Sequence, residues 1–277
     1  MVDSTVEVTA IAPVKDRAEI REAARSLLAV PVRHLVLCDG GSTQPNCLAA
    51  LAELESYDCV SVLRLPQPQF NKAQLLNWGI RHASSEILLT SDADILWNRE
   101  TVVKLVEWVR EGTRRIGGVA RVRETDSQAI ALRRSRYSYQ CTLEGKTARV
   151  AIVSGGGGDV RRPGCGLLCA RRRTFEGVGG YKERFRGWGW EDRDLLMRAE
   201  LLGATTDAMG EVTHLSHSDA VRNHFFGSRD PVETRDRNLV LSLTELSRGQ
   251  FWGDLPSGRR WKTPFGELTV MQEAGKP

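Results

Sequence analysis

Residues 6–39 read VEVTAIAPVKDRAEIREAARSLLAVPVRHLVLCD, and this stretch carries two hydrophobic periods in succession. The apolar, partly β-branched run 6–12 ends at Pro13 and predicts a short strand. Apolar residues then recur at helical spacing, which predicts a helix capped by Asp16 and stopped by Pro31. Residues 34–38 form the next apolar run. A strand, a helix and a strand joined by short links indicate a right-handed crossover between parallel strands.

The same alternation continues through the first half of the chain. It predicts helices near residues 49–54, 73–83 and 102–109, and strands at residues 59–65, 86–90 and 119–122. We therefore expect an α/β fold, a Rossmann-like and mostly parallel sheet with helices on both faces. Ligands of such sheets bind outside the carboxyl ends of the strands, where Asp39, Asp92 and Asp94 fall.

The second half has a different composition. Eleven of the 26 glycines lie between Gly155 and Gly189, which predicts loops or close backbone approaches. A helix is expected at about 191–202, ended by Gly203, and the chain after His214 reads as polar and irregular. The sequence shows no internal repeat, so we expect a single domain with a loop-rich C-terminal half.

Composition bounds the class of protein. The 277 residues are 41% hydrophobic and 27% charged, which excludes collagen-like, disordered and coiled-coil chains. No apolar run approaches the roughly 20 residues that span a bilayer, and acids stand where a signal peptide needs lysines. We therefore expect a cytoplasmic protein without a transmembrane segment, which leaves peripheral membrane association open. A net charge of +4 is too mild to indicate a nucleic-acid partner.

Two residue types could mark secondary sites. The arginines cluster, which suggests a local anionic ligand such as a phosphate; the clusters are Arg133, Arg134 and Arg136, then Arg161 and Arg162, then Arg171, Arg172 and Arg173. The six cysteines are scattered without a C-x-x-C pair. Cys165 and Cys169 could be half of a metal site, but small buried side chains are the simpler interpretation because no second ligand pair is near.

Asp92 and Asp94 follow a predicted strand directly. Where the backbone turns, both carboxylates can converge on a hard divalent cation that bridges protein and phosphate. The alternative is that they cap a helix beginning near Arg99 or are solvated in a loop. A D-x-D pair alone favours the capping role, so its metal role depends on further ligands.

Residues 187–194 read GWGWEDRD, two tryptophans among glycines and then four charged residues. Aromatic faces beside carboxylates suit a sugar ring, whose C–H face stacks while its hydroxyls form hydrogen bonds. Acids at a helix start also complement the helix dipole, which stabilises by about 0.3–1 kcal/mol. Capping explains one or two of the acids but not the tryptophans.

Further candidates are single polar residues or pairs. His214 and His217 are three apart and could bind one metal, since imidazole suits transition metals more than magnesium. Asp39 is either a turn residue or an acceptor for a nucleotide base N–H. Lys72, after the N-cap candidate Asn71, could bring an ammonium to a diphosphate, and Arg17 could act likewise or be solvated.

Together these motifs resemble the nucleotide-sugar glycosyltransferases of the A-type fold, especially glycosyltransferase family 2, with an acceptor motif of the galactosyltransferase and chondroitin-polymerase type. The resemblance covers roughly residues 6–220. It rests on residues 13–17 (PVKDR), 37–43 (LCDGGST), 71–80 (NKAQLLNWGI), 92–94 (DAD), 179–181 (GGY) and 187–195 (GWGWEDRDL).

The resemblance implies a role for each candidate. Donor contacts fall to Pro13, Arg17, Asp39, Lys72, Asp92 and Ala93; metal ligation to Asp94, His217 and His214; acceptor contacts to Trp188, Trp190 and Glu191; and catalysis to Asp192, as general base, with Glu191. It implies Mn²⁺ or Mg²⁺ as cofactor and a UDP-sugar as donor. The acceptor could be a glycan, a small molecule, a lipid-linked sugar or a peptide.

Within a single glycosyltransferase domain, the resemblance divides the chain into a nucleotide-sugar half (1–125), an acceptor and metal half (126–220) and a tail (221–277). One departure matters: relatives carry a second glycine where this chain has Trp190, and its ring is expected to narrow the acceptor site. The glycine-rich residues 154–165 are hypothesised to form a lid over the donor.

The expected reaction is metal-dependent transfer with inversion, since a single displacement assisted by one base inverts the anomeric centre. Two other classes remain open. A nucleotidyltransferase typically has a glycine-rich loop after its first strand, and residues 12–16 (APVKD) contain no glycine. A non-catalytic sugar-binding module would explain the tryptophans but would leave Asp94 and the histidines without a role.

Overall fold

The computed structural model describes residues 7–126, 136–155, 161–218, 224–225 and 230–273. Its helices are α1 (Ile20–Leu28), α2 (Pro45–Glu55), α3 (Lys72–His82), α4 (Arg99–Arg110), α5 (Arg172–Val178), α6 (Glu191–Leu201) and α7 (Pro231–Ser247). Its strands are β1 (Val8–Val14), β2 (His34–Asp39), β3 (Val60–Arg64), β4 (Ile87–Thr90), β5 (Ile95–Leu96), β6 (Arg115–Glu124), β7 (Arg136–Glu144), β8 (Thr147–Gly155), β9 (Arg161–Arg171), β10 (Thr205–His214) and β11 (Glu267–Glu273).

The central sheet has eight strands in the order β3-β2-β1-β4-β9-β6-β10-β5. The pairs β3-β2, β2-β1, β1-β4 and β6-β10 are parallel, whereas β9 runs antiparallel between β4 and β6. β5 pairs antiparallel with the end of β10. The α/β fold with a mostly parallel sheet is therefore confirmed.

Helices cover both faces of this sheet, because successive side chains of a strand point to opposite sides. On β1, Ala10 and Ala12 belong to a core shared with α1, α2 and α4, while Ile11 belongs to a core shared with α3, α5, α6 and α7. Both faces of the mixed sheet are thus buried, so the ends of its strands are the places where ligands can bind.

Two boundaries near the first strand differ from the prediction. Pro13 lies inside β1, paired with Cys38, because β4 has already ended opposite Ile11 and no ladder hydrogen bond is lost on that side. Asp16 does not cap α1, which begins at Ile20 after Glu19. The Asp16 backbone has a positive φ of 53°, and its carboxylate accepts hydrogen bonds from the backbone N–H groups of Thr43 and Gln44.

The prediction that the chain is irregular after His214 is wrong, because a helix and a strand lie there. A second sheet has the order β11-β8-β7, and the 17-residue helix α7 follows residue 230. α7 escapes detection by hydrophobic period because much of its buried face is polar: Thr234, Arg235, Asn238, Ser242 and Glu245 are all buried.

Some sequence predictions lie outside the described residues. These are Arg133 and Arg134, residues 156–160 of the hypothesised lid, and residues 221–223 and 226 of the tail. Among the helices that are described, none is long and apolar enough to cross a bilayer.

Candidate active site

A cavity of about 720 Å³ opens at the carboxyl ends of the parallel strands. It is reached by the end of β1, the turn after β4, the end of β10 and the start of α6. All sequence-predicted site residues line it except Asp39: Pro13, Arg17, Lys72, Asp92, Ala93, Asp94, Trp188, Trp190, Glu191, Asp192, His214 and His217. Residues from five separate stretches of chain therefore meet in one cleft.

Asp94, His214 and His217 form one group, whose potential ligand atoms all lie within 4.8 Å of one another. His214 Nε2 is 3.5 Å from Asp94 Oδ1, and His217 Nε2 is 3.3 Å from Asp94 Oδ2. β10 positions His214 at its last residue, opposite Ile95 of β5, so the strand pairing itself brings the histidine to Asp94.

In each imidazole, the nitrogen that faces away from Asp94 has a hydrogen-bond partner within the protein. His214 Nδ1 is 2.5 Å from Glu124 Oε2, at the end of β6, and His217 Nδ1 is 2.9 Å from the carbonyl oxygen of Ser218. Ser216 Oγ donates to the same Glu124 oxygen. A carboxylate behind an imidazole fixes the ring so that Nε2 faces a metal, the usual arrangement of metal-binding histidines.

Asp94 is kept ionised. Burial alone would raise its pKa, but hydrogen bonds with His214 and His217 and the charge of Arg17 lower the pKa well below its usual range. Arg17 Nη2 donates to Asp94 Oδ2 at 3.0 Å. One anionic oxygen donor and two oriented imidazole nitrogens fit a divalent transition-metal ion, with room for further ligands from the cavity side.

Glu191 and Asp192 stand in the first turn of α6 and meet Lys72, the first residue of α3. Lys72 Nζ is 3.0 Å from Asp192 Oδ2, 3.5 Å from Glu191 Oε1 and 2.8 Å from Asp92 Oδ1. One ammonium is thus shared by three carboxylates. The remaining oxygens Glu191 Oε2 and Asp192 Oδ1 are buried without a hydrogen-bond partner.

The charge of Lys72 does not fully offset the effects of burial and of repulsion among the three carboxylates. Burial, followed by the charge of Asp192, raises the pKa of Glu191 to about 7. Burial and the charge of Asp92 raise the pKa of Asp192 as well, against the opposing effect of Lys72. Burial would lower the pKa of Lys72, but the three carboxylates raise it well above its usual range. A carboxyl group whose pKa approaches neutrality can take up and release a proton.

The two tryptophans differ in their surroundings. Trp188 is half-buried at the cavity wall, whereas Trp190 is only 4% exposed and lies edge-on to Tyr137, with ring centroids 6.5 Å apart. Trp190 is the N-cap of α6 and has a positive φ of 78°, a conformation that usually favours glycine. Its ring therefore forms part of the cavity wall.

The segment 187–189 is fixed from behind by α7. A Cβ at Gly187 would lie 2.7 Å from Thr234, and one at Gly189 would lie 3.1 Å from Arg235, so both glycines are needed for close packing. The side-chain amide of Asn238 donates to the carbonyl of Gly189. The helix that the sequence did not reveal is therefore the support of the tryptophan segment.

Asp39 is the one predicted site residue that does not line the cavity. It is buried at the end of β2, where Oδ1 accepts hydrogen bonds from the backbone N–H and hydroxyl of Ser42. Asp16, Gln44 and Asn46 line this part of the cavity instead. Asp39 therefore stabilises the turn after β2, which leads to these residues of the cavity wall.

The alternative structural roles can also be compared with the structure. Asn98 caps α4 by accepting from the Thr101 N–H, so neither Asp92 nor Asp94 is its cap. Asn71 caps α3 through the Gln74 N–H. Cys169 is buried, and among the described residues the only group with metal-binding spacing is the Asp94 group.

Sequence reasoning missed Glu124, Tyr137 and Arg235. Glu124 is the last residue of β6 and could have been found by the strand-end rule, had the strand not been predicted to stop at residue 122. Tyr137 and Arg235 lie on elements without a clear period, and Arg235 sits over the Tyr137 ring at 4.4 Å. No sequence signal indicated either residue.

Two protein-family models match this chain. Residues 9–165 match the family described as Glycosyl transferase family 2, and residues 159–218 match the one described as N-terminal domain of galactosyltransferase. Among curated protein sequences, none matches the chain significantly.

Solved structures share the fold at low sequence identity. GalNAc-T7 with UDP, GalNAc and Mn²⁺ aligns with a TM-score of 0.61 and 14% identity over 86% of this chain and 48% of that chain. The mannosyltransferase PcManGT from Pyrobaculum calidifontis, in complex with GDP-Man and Mn²⁺, gives 0.57 and 20% over 89% and 66%. Glucosyl-3-phosphoglycerate synthase from Mycobacterium tuberculosis, with Mn²⁺, UDP and phosphoglyceric acid, gives 0.51 and 16% over 87% and 78%.

The chain spans about half the length of the first of these proteins and about two thirds of the second. At such identities the structural likeness shows the fold alone. The first family match, in contrast, covers more than half of the chain and includes β1, the Asp92–Asp94 turn and most of the central sheet. This chain belongs to glycosyl transferase family 2.

Proposed function

We propose that this protein transfers a sugar from a nucleoside diphosphate sugar to an acceptor hydroxyl, with inversion at the anomeric carbon. The observation that carries the proposal is a single cavity with two kinds of carboxylate. Asp94 is ionised beside two oriented imidazoles, whereas Glu191 and Asp192 are buried together with raised pKa values. The first arrangement suits a cation and the second suits a proton acceptor.

Asp94, His214 and His217 would hold the divalent ion, and a mixed oxygen and nitrogen donor set favours Mn²⁺ over Mg²⁺. Such an ion supplies Lewis-acid stabilisation of the negative charge that grows on a departing diphosphate. Three of the similar solved structures contain Mn²⁺ together with UDP or a GDP-sugar. We propose a UDP-sugar as the donor.

Asp192 is proposed as the general base. Lys72 holds its Oδ2, so the partnerless Oδ1 is the oxygen that can accept a proton. As the acceptor oxygen bonds to the anomeric carbon, the bond from that carbon to the diphosphate oxygen breaks, and the hydroxyl proton passes to Asp192 Oδ1. Attack from the side opposite the leaving group inverts the centre.

Glu191 and Trp188 are proposed to hold the acceptor. The free Glu191 Oε2 can form a hydrogen bond with a second hydroxyl of an acceptor sugar, since its pKa of about 7 allows both donor and acceptor states. Trp188 offers an apolar face at the same side of the cavity. A saccharide hydroxyl, free or carried by a glycan, lipid or peptide, is the acceptor class that these groups fit.

The experiment is a panel of nucleotide sugars incubated with the protein, with and without Mn²⁺, with the released products identified by chromatography. We expect Mn²⁺-dependent release of a nucleoside diphosphate from one donor, increased by a saccharide acceptor. A nucleotidyltransferase would instead release or consume pyrophosphate, and a sugar-binding module would release nothing. Either of those outcomes would reject the proposal.

A further inference from the structure

A second, smaller pocket of about 240 Å³ lies far from the cavity just described. It is lined by Thr113, Arg114, Arg173, Arg259 and Trp261. Thr113 and Arg114 precede β6, and Arg173 follows β9, which runs antiparallel to β6. The pocket is therefore at the amino-terminal edge of the parallel strands, opposite the edge that carries the catalytic residues.

The pocket has a built wall. The Trp261 ring packs on α5 because Gly177 has no side chain there; a Cβ at Gly177 would lie 2.3 Å from the indole. The backbone N–H of Trp261 donates to the Gly177 carbonyl, and the indole N–H of Trp252 donates to the Trp261 carbonyl. A glycine inside a helix lowers helix stability by about 1 kcal/mol relative to alanine, and here it makes room for the indole.

Arg114 is fixed at this wall. Its guanidinium lies over the Trp261 ring, 4.4 Å from the centroid, and Nη1 donates to the Leu202 carbonyl. This contact uses one of the five N–H donors of the guanidinium. Within the described part of the chain, no carboxylate lies within ion-pair distance of Arg114 or Arg173. Arg259 has only a 3.4 Å contact with Glu176.

The pocket lies in a surface that we call the basic edge. The basic edge comprises Arg110, Arg114, Arg115, Arg171, Arg172, Arg173 and Arg259, with Glu86, Glu111 and Glu176 as their acidic partners. Seven arginines thus meet three glutamates, so the basic edge carries an excess of positive side chains.

We propose that this pocket binds a phosphate group. Guanidinium groups bind phosphate oxygens in a bidentate, charge-assisted manner, and three of them from separate segments surround one concave site. A phosphate monoester carries about −1.5 to −2 charges at neutral pH, which matches the guanidinium groups of Arg114 and Arg173, for which the described residues provide no carboxylate partner. The volume is below the roughly 300–1,000 Å³ of pockets for drug-sized ligands, so the site suits a small anion or a head group and not a second nucleotide sugar.

Because the two sites lie at opposite edges of the sheet, a group bound here takes no part in the transfer itself. The phosphate group would come from a small phosphate compound in solution or from a lipid head group. Both sources present the same chemistry, and the experiment separates them.

The test uses protein labelled with 5-fluorotryptophan and ¹⁹F NMR. The chain has seven tryptophans, and the Trp261 resonance is assigned from its absence in W261F. We titrate inorganic phosphate against chloride at equal ionic strength, and we expect a saturable shift of the Trp261 resonance with phosphate only. In R173Q/R259Q the apparent affinity falls at least about tenfold, because each charge-assisted hydrogen bond contributes strongly.

The matched control is R25Q/R237Q, which removes the same charge from two exposed arginines away from the basic edge. It should titrate like the wild-type protein. Arg173 and Arg259 are exposed, so their substitution should leave folding and nucleoside diphosphate release unchanged, which separates this site from the proposed function. Equal shifts with chloride and phosphate, or equal titration of R173Q/R259Q and the control, overturn the proposal.

A second arm compares co-sedimentation with vesicles of phosphatidylcholine alone and of phosphatidylcholine mixed with phosphatidylglycerol. Binding to the mixed vesicles that is lost in R173Q/R259Q supports a lipid source of the phosphate. A ¹⁹F response to inorganic phosphate without vesicle binding supports a soluble source. No specific response in either arm overturns the proposal.

Discussion

The two groups of carboxylates in the cavity show opposite electrostatic behaviour. Asp94 is surrounded by two imidazoles and the guanidinium of Arg17, and its pKa is lowered. Glu191 and Asp192 are buried against each other, share one ammonium with Asp92, and have raised pKa values. Burial acts in the same direction on all three groups, so the difference comes from the neighbours.

This difference assigns chemistry within one cleft. Metal binding requires the deprotonated form of a carboxylate, which supports the proposed role of Asp94 as a ligand. Burial and the charge of Asp92 raise the pKa of Asp192, and a raised pKa makes a carboxylate a stronger proton acceptor, the role proposed for it. The two groups also belong to different elements. Asp94 follows β4 and contacts His214 at the end of β10, whereas Glu191 and Asp192 begin α6 and contact Lys72.

The largest effect is expected from D94N, which removes the ionised ligand and keeps its volume. Loss of several kcal/mol of transition-state stabilisation should lower nucleoside diphosphate release on the order of 10⁴-fold. The Mn²⁺-induced increase in melting temperature should disappear as well. Both are measured by product assay and by thermal unfolding with and without Mn²⁺.

D58N is the matched control, since Asp58 is exposed before β3 and outside the cavity. It should retain both turnover and the Mn²⁺ response. If D94N kept Mn²⁺-dependent turnover, the contrast between the two groups of carboxylates would have no functional meaning.

D192N should have the next largest effect. A general base contributes roughly 10²–10⁴-fold to rate, so turnover should fall by this factor while the affinity for donor and Mn²⁺ stays nearly unchanged. The measurement is kcat for transfer together with donor binding by calorimetry. Loss of donor binding in parallel with kcat would make Asp192 a structural residue of α6.

E124Q tests the support of the metal group and should have a smaller effect. Glu124 holds His214 Nδ1, and removal of such a partner typically weakens metal affinity about 10–100-fold. Saturating Mn²⁺ should then restore most of the turnover, which distinguishes a positioning residue from a ligand. E107Q, on the exposed side of α4, is the control. Unchanged Mn²⁺ affinity in E124Q would contradict this role.

The sequence predicted the cavity better than the elements that support it. Asp92 and Asp94 follow a strand whose apolar run is clear, and His214 ends the more polar strand β10. The carboxyl edge of a parallel sheet collects such residues by topology alone. Asp39 obeys the same rule but turns to Ser42, because a side chain at a strand end can be used by the turn that follows.

What the sequence did not predict depends on buried polar contacts. α7 packs through Thr234, Asn238 and Ser242, so its buried face has no apolar period. From the sequence, the Trp190 ring is expected to narrow the acceptor site. In the structure, its positive φ and its contact with Tyr137 place the ring in the cavity wall. Neither the backbone angle nor a partner from β7 is encoded in the local pattern.

The smallest expected effect concerns the stability of the acidic pair. The folded-state pKa of Glu191 is about 7, against an ordinary value of 4.5. Between these two values the folded protein holds a proton that the unfolded chain has released, so this group's contribution to the free energy of unfolding decreases as the pH rises through that window. E191Q cannot ionise and should escape this loss. Its melting temperature should equal that of the wild-type protein near pH 4.5 and exceed it by about a few degrees at pH 8, without donor or metal. E191Q also removes the charge that Glu191 presents to Lys72 and its hydrogen bond with Asp192, so the titration of these neighbours is part of the same difference. A difference in melting temperature that is independent of pH, or equal in E107Q, would show that Glu191 is ionised throughout and that the two carboxylate groups differ less than their surroundings indicate.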